Sequence, residues 1–258
     1  MRARSQRGEQ GGTVSDVPGR WEPHENHLLT LLPSGARERL RVLARPVRLA
    51  VGQALAHMDA PIERVYFLRS GVVSLLVLMQ DGRSTEVAAT GREGMVGAPV
   101  VLGEHVCPYA AIVQVEGEAL ELPAAHLRQL LREDRAVQEV LLHYVGVLLR
   151  QTVRTAACNR LHTAEERLAR WLLHMHDWTQ SSSFAFTQDF LAGMLGVRRA
   201  TVTAAAGALE RAGLIAHRYG HITIVDLQGL TRAACEDYAA IRAAFIRLPS
   251  EPASGATT

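Results

Sequence analysis

The sequence predicts an α+β chain in three parts: a strand-rich N-terminal barrel or roll, one long helix, and a C-terminal region ending in a winged helix-turn-helix. Three observations predict it. Short β-type runs divided by turn residues fill the stretch from Pro46 to Leu122. A heptad spacing runs from Val137 to Cys158. Residues 187–209 carry the cap, the turn glycine and the wedge positions of two crossing helices.

The N-terminal part begins after a polar, Gly-rich stretch over residues 1–23, expected to be disordered. Asn26 to Leu43 has helical spacing in Leu28, Leu29, Leu31, Leu32, Leu40 and Leu43, interrupted at Pro33-Ser34-Gly35. From Pro46 the period changes. Val65–Leu68 precedes Ser70-Gly71, and Val72–Met79 runs to Asp81-Gly82, a two-residue hairpin signal. Glu86–Ala89, the glycine-punctuated Gly91–Gly97, Ile112–Val115 and Ala119–Leu122 complete the set. Many short strands at this spacing predict a small barrel or roll.

Near Pro123 the pattern turns helical. Val137, Leu141, Tyr144, Leu148, Gln151, Thr155 and Cys158 follow one another at steps of four and three. That seam fits a dimer interface, and it equally fits a helix packed on its own domain. Thr163-Ala164-Glu165-Glu166 is a capping box that opens a further helix with Leu168, Trp171, Leu172 and Met175 on one face, and Ser181-Ser182-Ser183 reads as a loop.

Thr187 to Leu209 is the most informative stretch. Thr187 caps a first helix that starts at Gln188. Ala192 is small enough for close helix crossing, Gly196 permits a left-handed turn, and Leu191, Leu195, Val197 and Val202 fill the wedge between the helices. The second helix, from near Arg198, exposes Arg198, Arg199, Thr201 and Thr203 where a recognition helix reaches base edges and phosphates. Gly213 stops it, and His217 to Ile224, with Tyr219-Gly220 between two β runs, reads as a wing that carries Arg218. Beyond it, Leu230, Ala234, Tyr238, Ile241, Phe245 and Leu248 form an amphipathic stripe, expected to be one helix packed on the winged domain, before a disordered tail from Pro249.

Composition is compatible with this reading. The 258 residues suffice for one large domain or two small ones. No apolar run approaches the roughly 20 residues of a membrane span. Met1–Arg20 lacks the apolar stretch of a secretory signal, so a cytoplasmic location is expected. The formal net charge of +2 does not by itself announce nucleic acid. All 28 basic residues are arginine, a bias that a GC-rich genome explains and that still supplies bidentate donors for phosphate and guanine. Cys107, Cys158 and Cys235 are far apart in sequence and odd in number, which argues against a disulfide framework or a Cys-based zinc site; they read as buried apolar residues, with redox sensing at one of them the alternative. His174 and His176, two apart, do not share a helical face, so no metal pair is expected there; a haem ligand among His57, His105 and His143 is the remaining alternative. No GxSxG, Walker loop or HExxH is present, so no enzyme is expected.

The chain resembles the Crp/Fnr family of bacterial regulators over roughly residues 26–232. Pro61-Ile62, Val65-Tyr66-Phe67, Gly71-Val72-Val73, GREGMVG at Gly91–Gly97, AACNRLH at Ala156–His162 and LGVRRATV at Leu195–Val202 carry the resemblance. It implies a double-stranded β-roll sensor over 26–130, a dimerisation helix over 131–160, a winged helix-turn-helix over 161–232, and a C-terminal helix and tail over 233–258, with residues 1–25 as an N-terminal tail. It also implies a homodimer joined through Val137, Leu141, Tyr144, Leu148, Gln151 and Thr155, double-stranded DNA read at inverted repeats, and RNA polymerase as a partner. The ligand pocket it implies holds Gly97, Ala98, Tyr109 and Ala110. There the sequence departs from members that bind cyclic nucleotides: Ala98 stands in the glutamate slot and Tyr109 in the arginine slot. A buried phosphate without its cation is costly, so cyclic AMP is not expected, and Arg92 reads as an exposed turn residue rather than a substitute. In the recognition helix Arg199 matches the first family arginine, while Ala200 and Ala204 replace the glutamate and the second arginine, so the DNA target should differ from the common family site. The alternative function is a ligand-binding β-roll acting through protein contacts rather than DNA.

Overall fold

The structure, a computed structural model, describes residues 25–218 and 220–248. The expectations for residues 1–23, for Tyr219 at the wing tip and for the tail from Pro249 lie outside them. Two short helices, α1 (His27–Thr30) and α2 (Ser34–Leu43), precede eight strands: β1 (Arg45–Leu49), β2 (Ala54–Ala56), β3 (Arg64–Leu68), β4 (Val72–Leu78), β5 (Ser84–Thr90), β6 (Met95–Val96), β7 (Ala110–Val115) and β8 (Gly117–Pro123). These form two four-stranded antiparallel sheets, β1-β8-β3-β6 and β2-β7-β4-β5, facing each other as a roll. Helices α3 (Ala124–Glu133), α4 (Arg135–Leu161) and α5 (Ala164–Thr179) follow. The chain then forms β9 (Ser183–Ala185), α6 (Gln188–Leu195), α7 (Arg199–Arg211), β10 (Ile215–Arg218), β11 (His221–Ile224), α8 (Leu227–Ala233) and α9 (Asp237–Ile246).

The strands follow the hydrophobic runs. Val65, Tyr66, Phe67 and Leu68 of β3 are all buried, as are the first five residues of β4. The β4–β5 loop is three residues, 80–82, rather than two: Met79 N donates to Arg83 O, and Gly82 closes the turn with φ of +83°. Asn26 ties the N-terminal helices to the roll. Its amide donates to Leu68 O (2.8 Å) and Gly94 O (2.7 Å), and its Oδ1 accepts from Leu29 N (3.0 Å).

The long helix is the main departure from expectation. Val137, Leu141, Tyr144, Leu148, Gln151 and Thr155, expected at a dimer interface, are buried within their own chain. The stripe packs on the roll. Tyr144 Oη accepts from Met95 N (3.0 Å) and donates to Met95 O (3.1 Å), and Gln151 donates to Ala89 O (3.1 Å). The packing is close, since a Cβ on Gly94 would collide with the Tyr144 hydroxyl. A heptad spacing fixes which residues share a face and not what covers that face.

The C-terminal stripe also differs: it is two helices broken at Ala234–Glu236. Leu230 belongs to the winged core, whereas Ile241, Phe245 and Leu248 of the α9 segment join the core between α4 and the roll. Ser183, read as loop, begins β9, which pairs with β11 and makes the wing sheet three-stranded in the order β10-β11-β9.

A second core binds the winged region to the outer face of the roll, where Val72, Leu76, Ala89 and Ala110 meet Leu168, Trp171, Leu172 and Met194. At its centre lies the buried carboxyl of Glu86, accepting from Ser74 Oγ (2.5 Å) and Gln114 Nε2 (2.8 Å). Burial outweighs these donors and the nearby Arg170 charge, and pushes its pKa up to about 7. A carboxyl raised in the folded state contributes stability below its unfolded pKa and loses it as pH rises through about 7. Glu86→Gln removes that loss, so relative to wild type the variant should gain stability between about pH 5 and about pH 8 in denaturant melts. Stability curves that run parallel across that range would contradict this placement of Glu86.

Candidate nucleic-acid interface

The helix-turn-helix is built as its sequence requires. Thr187 Oγ1 accepts from Phe190 N (3.1 Å) and caps α6. Gly196 ends that helix with φ of +61°, the left-handed conformation that glycine adopts without penalty. Leu191, Leu195 and Val202 are buried between the helices and Val197 is half-buried. The capping box of α5 forms in both directions, Thr163 N to Glu166 Oε2 (2.8 Å) and Glu166 N to Thr163 Oγ1 (3.3 Å). Sequence reasoning missed Arg167. Its buried guanidinium donates to Leu195 O at the C-terminal end of α6, where a cation also meets the negative pole of the helix. Nothing in its position on an apolar helix face distinguishes it from a surface arginine before the turn is placed.

Arg198, Arg199, Ala200, Thr201, Thr203 and Ala204 are all exposed at the start of α7. Arg198 is the N-cap and makes no side-chain cap bond. Arg199 Nη1 pairs with Asp189 Oδ2 (3.0 Å), and its Nε donates to Gln188 Oε1 (3.4 Å). The Thr203 hydroxyl reaches the same Gln188 oxygen (2.9 Å) and Arg199 O (3.1 Å). Gln188 and Asp189 at the start of α6 thus hold Arg199 upright across the mouth of the motif. Arg218 is exposed at the end of β10 on the wing.

Residues 166–233 match the Crp-like helix-turn-helix domain, and residues 46–134 match the cyclic nucleotide-binding domain. The chain belongs to the Crp/Fnr family of transcription regulators. The curated Transcriptional regulator SdrP of Thermus thermophilus is 26% identical over 183 residues, spanning 69% of this chain and 87% of that protein. Among solved structures, FixK2 from Bradyrhizobium japonicum superposes with a TM-score of 0.64 at 21% identity, covering 74% of this chain and 98% of its own. A transcriptional regulator of the Crp/Fnr family, also from Thermus thermophilus, superposes with a TM-score of 0.61 at 24% identity, over 74% and 98%.

The residues expected in the ligand cassette are buried in the roll. Gly97 adopts φ of +91°, and a Cβ there would stand 2.8 Å from Val65 Cγ1. Ala98, Tyr109 and Ala110 are buried, and the Tyr109 ring packs in the core with Val100, Val101 and Cys107. Its hydroxyl faces the backbone amides of Gly97 and Ala98, and burial holds its pKa well above the usual phenol value. Arg92 lies in the turn as expected but is half-buried rather than exposed.

His57, His105 and His143 are exposed. His174 is buried against the Trp178 ring at a centroid distance of 5.4 Å, and desolvation lowers its pKa to about 3. Cys107 lies in the roll core, whereas Cys158 and Cys235, 77 positions apart in sequence, bring their sulfurs to 3.5 Å. All three cysteines are buried as expected, while their distance along the chain hid the proximity of Cys158 and Cys235. Among the described residues no helix is long and apolar enough to cross a membrane.

Arg199 and Thr201, both exposed at the start of α7, allow the expected roles of base reading and phosphate anchoring to be tested separately. Arg199→Ala should weaken specific DNA binding about 10- to 100-fold and flatten preference at one base pair per half-site, because a bidentate guanine contact contributes roughly 1–3 kcal/mol. Thr201→Ala should weaken all sequences alike. Binding-site selection decides: an unchanged, equally sharp motif from Arg199→Ala would pass the role to Arg198.

Proposed function

We propose that this regulator binds inverted-repeat DNA as a homodimer, joined by the outer face of α4, without cyclic AMP as its signal and with RNA polymerase as a partner at its promoters. The observation that carries the dimer is a second stripe on α4. Leu142, Leu149, Val153 and Ala156 are exposed along one side of the helix, flanked by the half-buried Val145 and Thr152 at its border with the roll. Leu149 is 62% exposed and Val153 60%, which in a single chain leaves large apolar side chains in water along a straight helix. Pairing two such stripes about a two-fold axis covers both. The two recognition helices would then meet successive major grooves about 34 Å apart.

Independence from cyclic AMP is supported by the residues at the two contact positions, the buried Ala98 and Tyr109. Neither Ala98 nor Tyr109 can hold a ribose hydroxyl or neutralise a phosphate as a carboxylate and a guanidinium would. The alternative, a roll acting only through protein contacts, leaves the exposed Arg199–Gln188–Thr203 network without a task.

Light scattering and DNA titration test the proposal together. The wild-type chain should have the mass of two protomers and the same DNA affinity with and without cyclic AMP. Leu149→Glu with Val153→Glu should halve the mass and weaken operator binding while leaving the roll folded. An unchanged mass in that double variant, or a large response of wild type to cyclic AMP, would overturn the corresponding part.

A further inference from the structure

Where the long helix ends, four side chains from distant parts of the sequence converge. Cys158 lies in the last turn of α4, with His162 at its C-cap four positions on; Cys235 lies in the break between α8 and α9, and Asp237 is the first residue of α9. The two sulfurs are 3.5 Å apart, His162 Nδ1 is 3.6 Å from Asp237 Oδ2, and Cys235 Sγ is 3.9 Å from that same oxygen. One donor atom from each of the four lies within 4.8 Å of all the others. A tetrahedral zinc ion, with bonds of about 2.3 Å to sulfur and about 2.0–2.1 Å to nitrogen or oxygen, spaces its ligand atoms about 3.3–3.8 Å apart. We propose that Cys158, His162, Cys235 and Asp237 form a tetrahedral site for a zinc-class divalent ion.

The surroundings are arranged as the outer shell of such a site. His162 Nδ1 is buried and has no hydrogen-bond partner, while Nε2 on the other side of the ring lies 3.2 Å from Glu236 Oε2. A carboxylate at Nε2 fixes the proton there and leaves the Nδ1 lone pair aimed at the sulfurs, the usual way in which a ligating imidazole is oriented. Asp237 is only 3% exposed, and Arg154 Nη1 holds its Oδ1 at 2.9 Å, so that Oδ2 is the oxygen presented to the cluster. Cys158 and His162 are one helical turn apart and so share a face.

The donor set selects the ion. Two thiolates and an imidazole suit a borderline-soft ion such as zinc and disfavour magnesium or calcium, which take all-oxygen shells. Two thiolates and a carboxylate exceed the charge of a divalent ion by one, and the side chain of Arg170 faces Cys158 to offset it. A disulfide between the two cysteines would use the sulfurs but give no task to the buried Nδ1 or to the oriented Asp237. The ion would fasten the start of α9 to the end of α4. It would sit beside the turn into α5, the helix from which Arg167 holds the helix-turn-helix.

The test is metal analysis of the full chain, purified under reducing conditions without chelator, followed by exchange with cobalt(II). The expected result is about one zinc per chain, and a cobalt form with the strong visible bands of tetrahedral coordination and a near-ultraviolet thiolate charge-transfer band. Cys235→Ser should abolish that band, Glu236→Gln should weaken metal affinity about 10- to 100-fold, and Cys107→Ser should change neither. If Cys235→Ser does not fold, the wild-type cobalt spectrum decides alone, before and after alkylation of the thiols. Absence of metal together with a cobalt spectrum lacking thiolate charge transfer would overturn the site. So would a Cys158–Cys235 disulfide found by peptide mass under the same reducing conditions, which would make the pair a redox couple.

Discussion

The packing of one face of α4 on the roll is the contact on which the rest of the molecule depends. Tyr144 is its centre: a fully buried phenol whose hydroxyl both accepts from and donates to the backbone of Met95, in a space that only glycine at position 94 leaves open. Losing the hydroxyl would strand a buried amide and a buried carbonyl, at a cost of about 1–3 kcal/mol for each unsatisfied group. Because this face is spent on the roll, the rotation of the 27-residue helix about its own axis is fixed. That rotation turns Leu142, Leu149 and Val153 outward, and it delivers Cys158 to Cys235 at the far end.

The winged region is held by different forces. Its apolar contacts with β4, β5 and β7 surround polar groups that are costly to bury, Glu86 with Ser74 and Gln114 on the roll side and Arg167 and Arg170 on α5. Such a seam is stable only while its polar members are satisfied, and it is more sensitive to protonation than a purely apolar one. The part of the molecule that faces DNA is therefore joined to the part that resembles a sensor through an apolar core with a titratable carboxyl, Glu86, buried in it.

The elements legible in the sequence were those whose signals are local. Short β-type runs divided by turn residues marked β3, β4, β5, β7 and β8, and Thr187, Gly196 and Val202 marked the helix-turn-helix with its boundaries, because cap, turn and wedge each need one residue type at one place. What could not be read was the identity of partners across space. Two heptad stripes wind around α4, and the more apolar of them, through Leu141 and Tyr144, faces inward, while the one through Leu149 faces outward. Periodicity does not distinguish the two. The break at Ala234–Glu236 lacks glycine or proline, so one stripe read as one helix. Strand β9, three residues long, forms only because β11 offers it an edge. Cys158 and Cys235 become neighbours only after α9 folds back on α4.

The division of labour between the two faces of α4 is the central claim, and site-specific cross-linking on the operator measures it most directly. With the native cysteines buried within the protomer, Leu149→Cys places one thiol per protomer on the outer stripe, where residues on a two-fold axis meet their own counterparts. Rapid covalent dimer formation from Leu149→Cys, with none from Leu141→Cys, is the result this account predicts. Cross-linking through position 141 but not 149 would contradict it, and would show that the helix turns its inner face to the partner when DNA is bound.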